Sequence, residues 1–294
     1  MRTLRVFGTG LLLFTAVAAL GIVPLSDKAT FKEIGRTTEK ELNVVLSSSF
    51  GSVVISKGEP EKVVLLEARS DTKNDPRMSV SYAIRNRVGY LDISLGERSH
   101  EEERKKGSFS IAHFGGGKWH LRFTDAIPIS LELELGVGKG DFDLSGLRVK
   151  DFTLSTGASE VRLSFDTKNK ASIENINIES GVSKFTGWNL GNANFKHFRF
   201  EGGVGAYTLD FSGELEHEAD VDVEVGLGVL TLIVPPEVGA RVLCEQSWVS
   251  RVDFAKDFQT VGKDQYETEN YSAAAGKMNI RIDSGLGSVK IRRR

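Results

Sequence analysis

The residues best placed to do chemistry are three carboxylates and two bases. Asp141, Asp143 and Glu160 lie in one short stretch, with Arg162 and Lys184 close behind. Gathered on one surface, such acids could hold calcium through their oxygens or cleave a glycosidic bond as a pair. The competing reading is an exposed, charge-paired sheet face on which each acid answers a base. His100, His113, His120, His197 and His217 show no metal-ligand spacing, and none sits in a nucleophile motif. Residues 114–118, F-G-G-G-K, lack the full phosphate-loop spacing and the Ser or Thr that should follow, so they read as a flexible loop. Cys244 is the single cysteine, set in the apolar run V-L-C; it reads as a buried thiol and allows no internal disulfide. Trp119, Trp188 and Trp248 could stack on sugar rings, but end-caps of a core are the simpler role for them. No catalytic residue, metal ligand or cofactor-binding residue is assigned, and no cofactor is expected.

What must position these side chains is a recurring phrase. A small residue, position 0, has glycine at −2 and apolar residues at −7, −5, +2 and +4. The phrase fits with position 0 at Gly51, Gly89, Gly140, Ser159, Ser183, Gly205, Gly228 and Gly287, with Ser49 in place of the −2 glycine in the first copy and Arg87 in the looser copy at Gly89. Of its apolar slots only Gly187 fails. A degenerate copy runs through Val242, Cys244, Ser250, Val252 and Phe254. From Gly140 onward the copies are spaced at ~22 residues, a repeat signature. Each copy reads as two short strands of period-two alternation joined at a glycine turn. The expected role of the −2 glycine is to accept positive φ, and that of the small residue at 0 is to leave room at a crowded corner.

Two architectures satisfy the phrase. Stacked coils of a β-solenoid would share one core. Antiparallel hairpins would instead pair −5 with +2 and −7 with +4. The solenoid is favoured, because the connections between copies are long and the slots are bulky. Its outward positions can be listed: at +1 Asp141, Glu160 and Lys184, and at +3 Asp143, Arg162, Thr186, Thr208 and Thr231. The three threonines form a β-branched ladder or a flat contact surface.

Of the 294 residues, 40% are apolar and 27% charged, with a net charge of −2, which gives no pull toward nucleic acid. Glycine is frequent (31) and proline sparse (6), as in an all-β chain. Arg2 and Arg5 precede residues 6–25, which carry no charge and contain the small-x-small triplet Ala16-Val17-Ala18. Residues 1–25 are therefore expected to be a signal peptide or an uncleaved N-terminal anchor; without a cysteine there they are no lipoprotein anchor. Residues 26–125 form a less regular β-rich part, and 126–294 the solenoid. Residues 97–106, mixed acids and bases without an apolar residue, read as a solvated loop. Residues 259–275 interrupt the repeat, and the closing I-R-R-R is a solubilising end.

The stretch W-H-L-R-F-T-D-A-I-P-I-S-L-E-L-E-L-G-V-G-K-G-D-F-D-L-S-G-L, residues 119–147, resembles the toast-rack domains of bacterial cell-envelope proteins. So do T-G-A-S-E-V, G-L-G-S-V-K-I, L-N-V-V-L-S-S-S-F-G-S-V-V-I-S-K-G and V-S-Y-A-I. The resemblance covers roughly residues 40–294. It implies a right-handed β-helix-like domain, exported or membrane-tethered, linked to envelope-stress sensing or surface adhesion, with no catalytic motif. The chain departs from the pattern at Ser159 and Ser183, where glycine is common, and in the insert after Gly228. It also lacks the several transmembrane helices of some stress-response members. Taken together, the sequence reads as a non-enzymatic binding or sensory scaffold outside the cytoplasm, whose partner is an envelope protein or a wall polymer. A surface adhesin and a polysaccharide lyase or hydrolase on the same scaffold are the alternatives.

Overall fold

The computed structural model describes residues 29–70, 78–96, 117–246 and 250–294. The N-terminal apolar segment, the 97–106 loop, His100, His113 and Trp248 lie outside them. Seven long strands dominate: β2 (Glu41–Lys57), β7 (Ile129–Asp143), β8 (Val149–Ser164), β9 (Ile173–Trp188), β10 (Phe195–Asp210), β11 (Glu218–Val234) and β16 (Lys277–Arg293). They lie side by side in that order within one open sheet, every neighbouring pair parallel. Parallel pairing along their full length rejects the hairpin arrangement for these strands.

Each long strand folds over on itself. In β8 the buried residues are Phe152, Leu154 and Thr156, then Val161 and Leu163. The inward set changes from even to odd across the glycine, so a local bend turns both arms toward one interior. Aromatic contacts show the arms meeting. Phe200 on the first arm of β10 lies 5.1 Å from Tyr207 on the second, edge-on, and Phe198 lies 5.3 Å from Phe211 just past the strand. The apolar slots of all seven strands belong to a single core cluster. Burying so many aliphatic and aromatic side chains, at roughly 1.5–3 kcal/mol each, is what sustains an elongated stack.

The register corrects two expectations. Gly51, Gly138, Ser159, Ser183, Gly205, Gly228 and Gly287 stand in one line across the sheet. The copy placed at Gly140 is therefore anchored at Gly138, two residues earlier, with Gly140 in the +2 slot. The roles of the glycines are also exchanged. Positive φ occurs at position 0, at Gly51, Gly138, Gly228 and Gly287. At −2, Gly136, Gly157, Gly181, Gly203, Gly226 and Gly285 form a second line. There a Cβ would press on the carbonyl oxygen of the preceding strand, at 2.5–2.9 Å for Gly136 to Gly226. Strand-to-strand approach, not backbone conformation, requires glycine at −2.

Both ends of the stack are closed the same way. β5 (Val88–Leu95) pairs with the first arm of β2 and β6 (Gly117–Phe123) with the second. At the far end β12 (Gly239–Gln246) and β13 (Ser250–Asp253) cover the two arms of β16. These are the degenerate copy: Val242 stands opposite Ile280, Cys244 opposite Ile282 and Val252 opposite Val289. The C-terminal β16 thus lies between β11 and β12. Short antiparallel strands finish each edge: β1 (Ala29–Gly35), β3 (Lys62–Ser70) and β4 (Met78–Arg85) at one end, and β14 (Phe258–Gly262) and β15 (Gln265–Thr268) at the other. A long parallel edge invites pairing with another chain, and short antiparallel caps blunt it. The loosest copy belongs to a cap. Around Gly89, β4 and β5 form a hairpin through Asn86 and Arg87, whose φ values of 51° and 65° suit a two-residue primed turn.

Between long strands the loops are stitched rung to rung. Buried Asn169 accepts from the Val149 amide (3.0 Å) and donates to the carbonyls of Val149 (2.7 Å) and Ala193 (3.2 Å). Asn192 donates to Phe165 O at 2.8 Å and accepts from the Glu214 amide at 2.9 Å.

Candidate functional site

The acids singled out by their spacing do not converge. With Gly138 as anchor, Glu160 faces Lys139 on one side and Lys184 on the other, each ion pair 3.5 Å, with Arg162 at 3.9 Å. The charges of Lys139 and then Lys184 hold the Glu160 carboxyl below its ordinary value. Asp141 stands opposite Arg162, and Asp143 accepts from the Ser145 amide at 3.0 Å in the turn that follows. This is the charge-paired face. Among the described residues no group of three His, Cys, Asp or Glu is arranged to hold a metal ion. Thr186, Thr208 and Thr231 do line up in register.

The remaining candidates fall mostly to structure. Trp119 is buried beside Val53, while Trp188 is 42% exposed at the end of β9. Gly117 and Lys118, the end of the glycine run, open β6. His197 lies 3.4 Å from Asp220, and His217 Nε2 lies 2.8 Å from the Phe195 carbonyl. The Cys244 thiol is buried and pushed up to about 11 by desolvation. One constellation escaped the sequence reading. Ser56 Oγ lies 2.8 Å from His120 Nε2, and Glu67 pairs across the strand with His120. A serine–histidine–acid triad needs the carboxylate on the other ring nitrogen. Here Glu67 is engaged by Arg69 at 2.6 Å and Arg122 at 3.1 Å, and burial lowers the His120 pKa.

A built surface feature runs along the bend instead. Position −4, facing outward on the first arm, is Glu134, Ser155, Glu179, Glu201, Glu224 and Asp283 from β7 to β16. Position −2 is the glycine line, and position −1 is Val137, Ala158, Val182, Val204, Leu227 and Leu286. The last column stands in water: Val137 is 59% exposed, Val182 63% and Leu227 44%. Acids, glycine backbone and aliphatics form three parallel tracks, and the first two line a groove of about 590 Å³. Within the acid track only Glu201 has an ion-pair partner among the described residues, Arg199. In the column behind it Arg199 and Arg281 flank Asp222, and the Arg199 charge acts on Glu201 first and then on Asp222 and Glu224. The sequence carried the signal. With Gly138 as anchor, the residue four places before position 0 is acidic in five of the seven long strands, and the one before position 0 is apolar in all. The misplaced anchor hid the first regularity.

A family model described as the N-terminal domain of toast_rack, DUF2154, matches residues 25–187. The chain belongs to this family. Among solved structures it is similar to a "putative cell adhesion protein" from Clostridium sporogenes: 19% identity, 91% of this chain and 100% of the other, TM-score 0.47. It is also similar to a "putative adhesin" from Bacteroides fragilis: 12% identity, 90% of this chain and 98% of the other, TM-score 0.34. No curated protein matches the chain in sequence. Among the described residues no helix is long and apolar enough to cross a membrane.

Proposed function

We propose that this protein is a non-enzymatic recognition scaffold of the bacterial cell envelope, carried out of the cytoplasm by residues 1–25 acting as a signal peptide or retained anchor. In this reading the ~22-residue phrase is one coil of a right-handed solenoid, and the stack is a rigid rod that presents fixed columns of side chains to a protein or wall polymer. The observation that carries it is the in-register tracks along the bend, apolar at −1 on all six strands from β7 to β16 and acidic at −4 on five of them. A one-chemistry column across six strands is a surface, and it meets a partner that is itself extended. The exposed aliphatic column equally suits a scaffold working as an adhesin on the outside of the cell.

Affinity capture from envelope fractions on immobilised full-length protein tests the reading, with heat-unfolded protein as control. Retention of a defined protein or polymer by the folded chain alone is the expected result; equal retention on both supports overturns it. Protease treatment of intact cells separates the two locations, because only a surface adhesin is cut.

A further inference from the structure

The scaffold reading leaves the partner open, and the groove narrows it. Four neighbouring strands, β9, β10, β11 and β16, place carboxylates directly opposite one another at −4. Like charges facing across strands destabilise a sheet. Elsewhere on this molecule the columns avoid that, as Lys139, Glu160 and Lys184 show. An acid track in which Arg199 answers the carboxylates at Glu201 and more weakly at Glu224, beside an exposed aliphatic track, is therefore complementary to a ligand bearing both positive charge and apolar groups.

Resting on that scaffold reading, we infer that the groove binds an extended polypeptide segment of a partner protein in which basic and apolar residues alternate. The segment runs across the strands, along the glycine floor. The geometry selects an extended chain because its successive side chains point to opposite sides. One set reaches the Glu179–Glu224 wall while the other lies on Val182, Val204 and Leu227. The floor is lined by glycine, so backbone can approach closely. From β7 to β16 the track is about 24 Å long, taking strands at ~4.8 Å spacing, which about seven extended residues span. Lysine and arginine stems are long and flexible enough to absorb the mismatch between the peptide repeat of about 6.8 Å and the strand spacing. A bare divalent cation is a poorer occupant, since no metal-ligand set exists among the described residues.

The test is fluorescence anisotropy with labelled nine-residue peptides and the full-length chain. One peptide alternates lysine and valine, one has the same composition in two blocks, and one alternates glutamate and valine. The wild type is expected to bind the first at least tenfold more tightly than the other two, with affinity falling as salt rises. Glu179→Gln, Glu201→Gln and Glu224→Gln combined should weaken that binding at least tenfold while circular dichroism stays unchanged. Glu160→Gln, on the charge-paired face, should leave it unaltered. Should Val182→Ser, Val204→Ser and Leu227→Ser together unfold the chain, the glutamine variant alone decides. Equal binding of the blocked peptide, indifference to the glutamine substitutions, or binding of calcium but not peptide would each overturn the inference. If envelope capture succeeds and is untouched by the glutamine variant, the groove assignment fails and the scaffold reading stands. If peptide binding holds while capture yields nothing, the scaffold reading falls alone.

Discussion

Two outward columns of the sheet, one on the second arms of β7 to β9 and one on the first arms of β9 to β16, follow opposite rules. On the second arm, charge alternates from rung to rung: Lys139, Glu160, Lys184, with Asp141 opposite Arg162. On the first arm beside the bend, charge repeats: Glu179, Glu201, Glu224, Asp283. In a parallel, in-register sheet each column stacks at about 4.8 Å, so chemistry along it is amplified. Alternation converts that proximity into mutual screening, and repetition converts it into a field and an interface. The contrast teaches where this fold spends side chains on its own stability and where it does not.

The comparison rests on the bend, and breaking the bend has the largest effect. Gly228→Ala places a Cβ against the Gly205 carbonyl in a conformation with φ of +145°. It should destabilise the protein by more than about 3 kcal/mol in urea unfolding. Gly35→Ala, with no atom within 4 Å of the added methyl, serves as the neutral control. Next comes Asn169→Ala, which leaves the Val149 amide and two carbonyls without their side-chain partner and should cost about 2–3 kcal/mol by the same measurement. The contrast itself is sharpened by two matched substitutions. Glu179→Gln relieves repulsion and should raise Tm by about 1–3 °C. Glu160→Gln removes the carboxylate between two lysines and should lower Tm. Scanning calorimetry that moved both the same way would erase the distinction.

A separate effect, confined to alkaline pH, is titration. Burial, with the Glu39 carboxylate near, pushes the Tyr82 phenol from 10.0 up to about 12, and burial lifts the Cys244 thiol from 9.0 to about 11. Both pKa values are raised in the folded state, so their stabilisation is complete below the unfolded values. It is lost as pH climbs through the folded ones, and Tm should decline from about pH 9 to pH 12. Cys244 should react with a thiol reagent at pH 8 only after unfolding.

Much of this architecture was legible because buried slots are periodic. Phe152, Leu154, Val161 and Leu163 announced both arms of β8 before any contact was known. What failed did so for definite reasons. A shift of two residues leaves inward and outward positions unchanged in a strand, so the apolar pattern could not separate Gly138 from Gly140 as anchor. That slip moved the acid columns and produced a cluster at Asp141, Asp143 and Glu160 that the register dissolves. The glycine roles were exchanged because sequence shows where a side chain is missing, not whether conformation or a neighbour's carbonyl excludes it. The Gly89 copy passed as a coil because a two-residue hairpin also brings Leu91 and Ile93 inward, and the antiparallel pairing of β4 with β5 and the φ values of Asn86 and Arg87 distinguish the two. The groove was hidden because its acids and aliphatics are uniform only down a column, a direction the linear chain never follows.

The placement of β16 between β11 and β12 bears on how the molecule is made. A chain delivered amino end first can add β8, β9, β10 and β11 one upon another, each new strand finding its neighbour already in place. β12 meets its parallel partner only later, because β16 follows it in the chain; until then β15 alone can pair with it. β16 therefore acts as a keystone: until Lys277–Arg293 is delivered, β12 and β13 lack the strand that joins them to the stack, and a chain without those residues is left with an open edge on β11 rather than a slightly smaller fold.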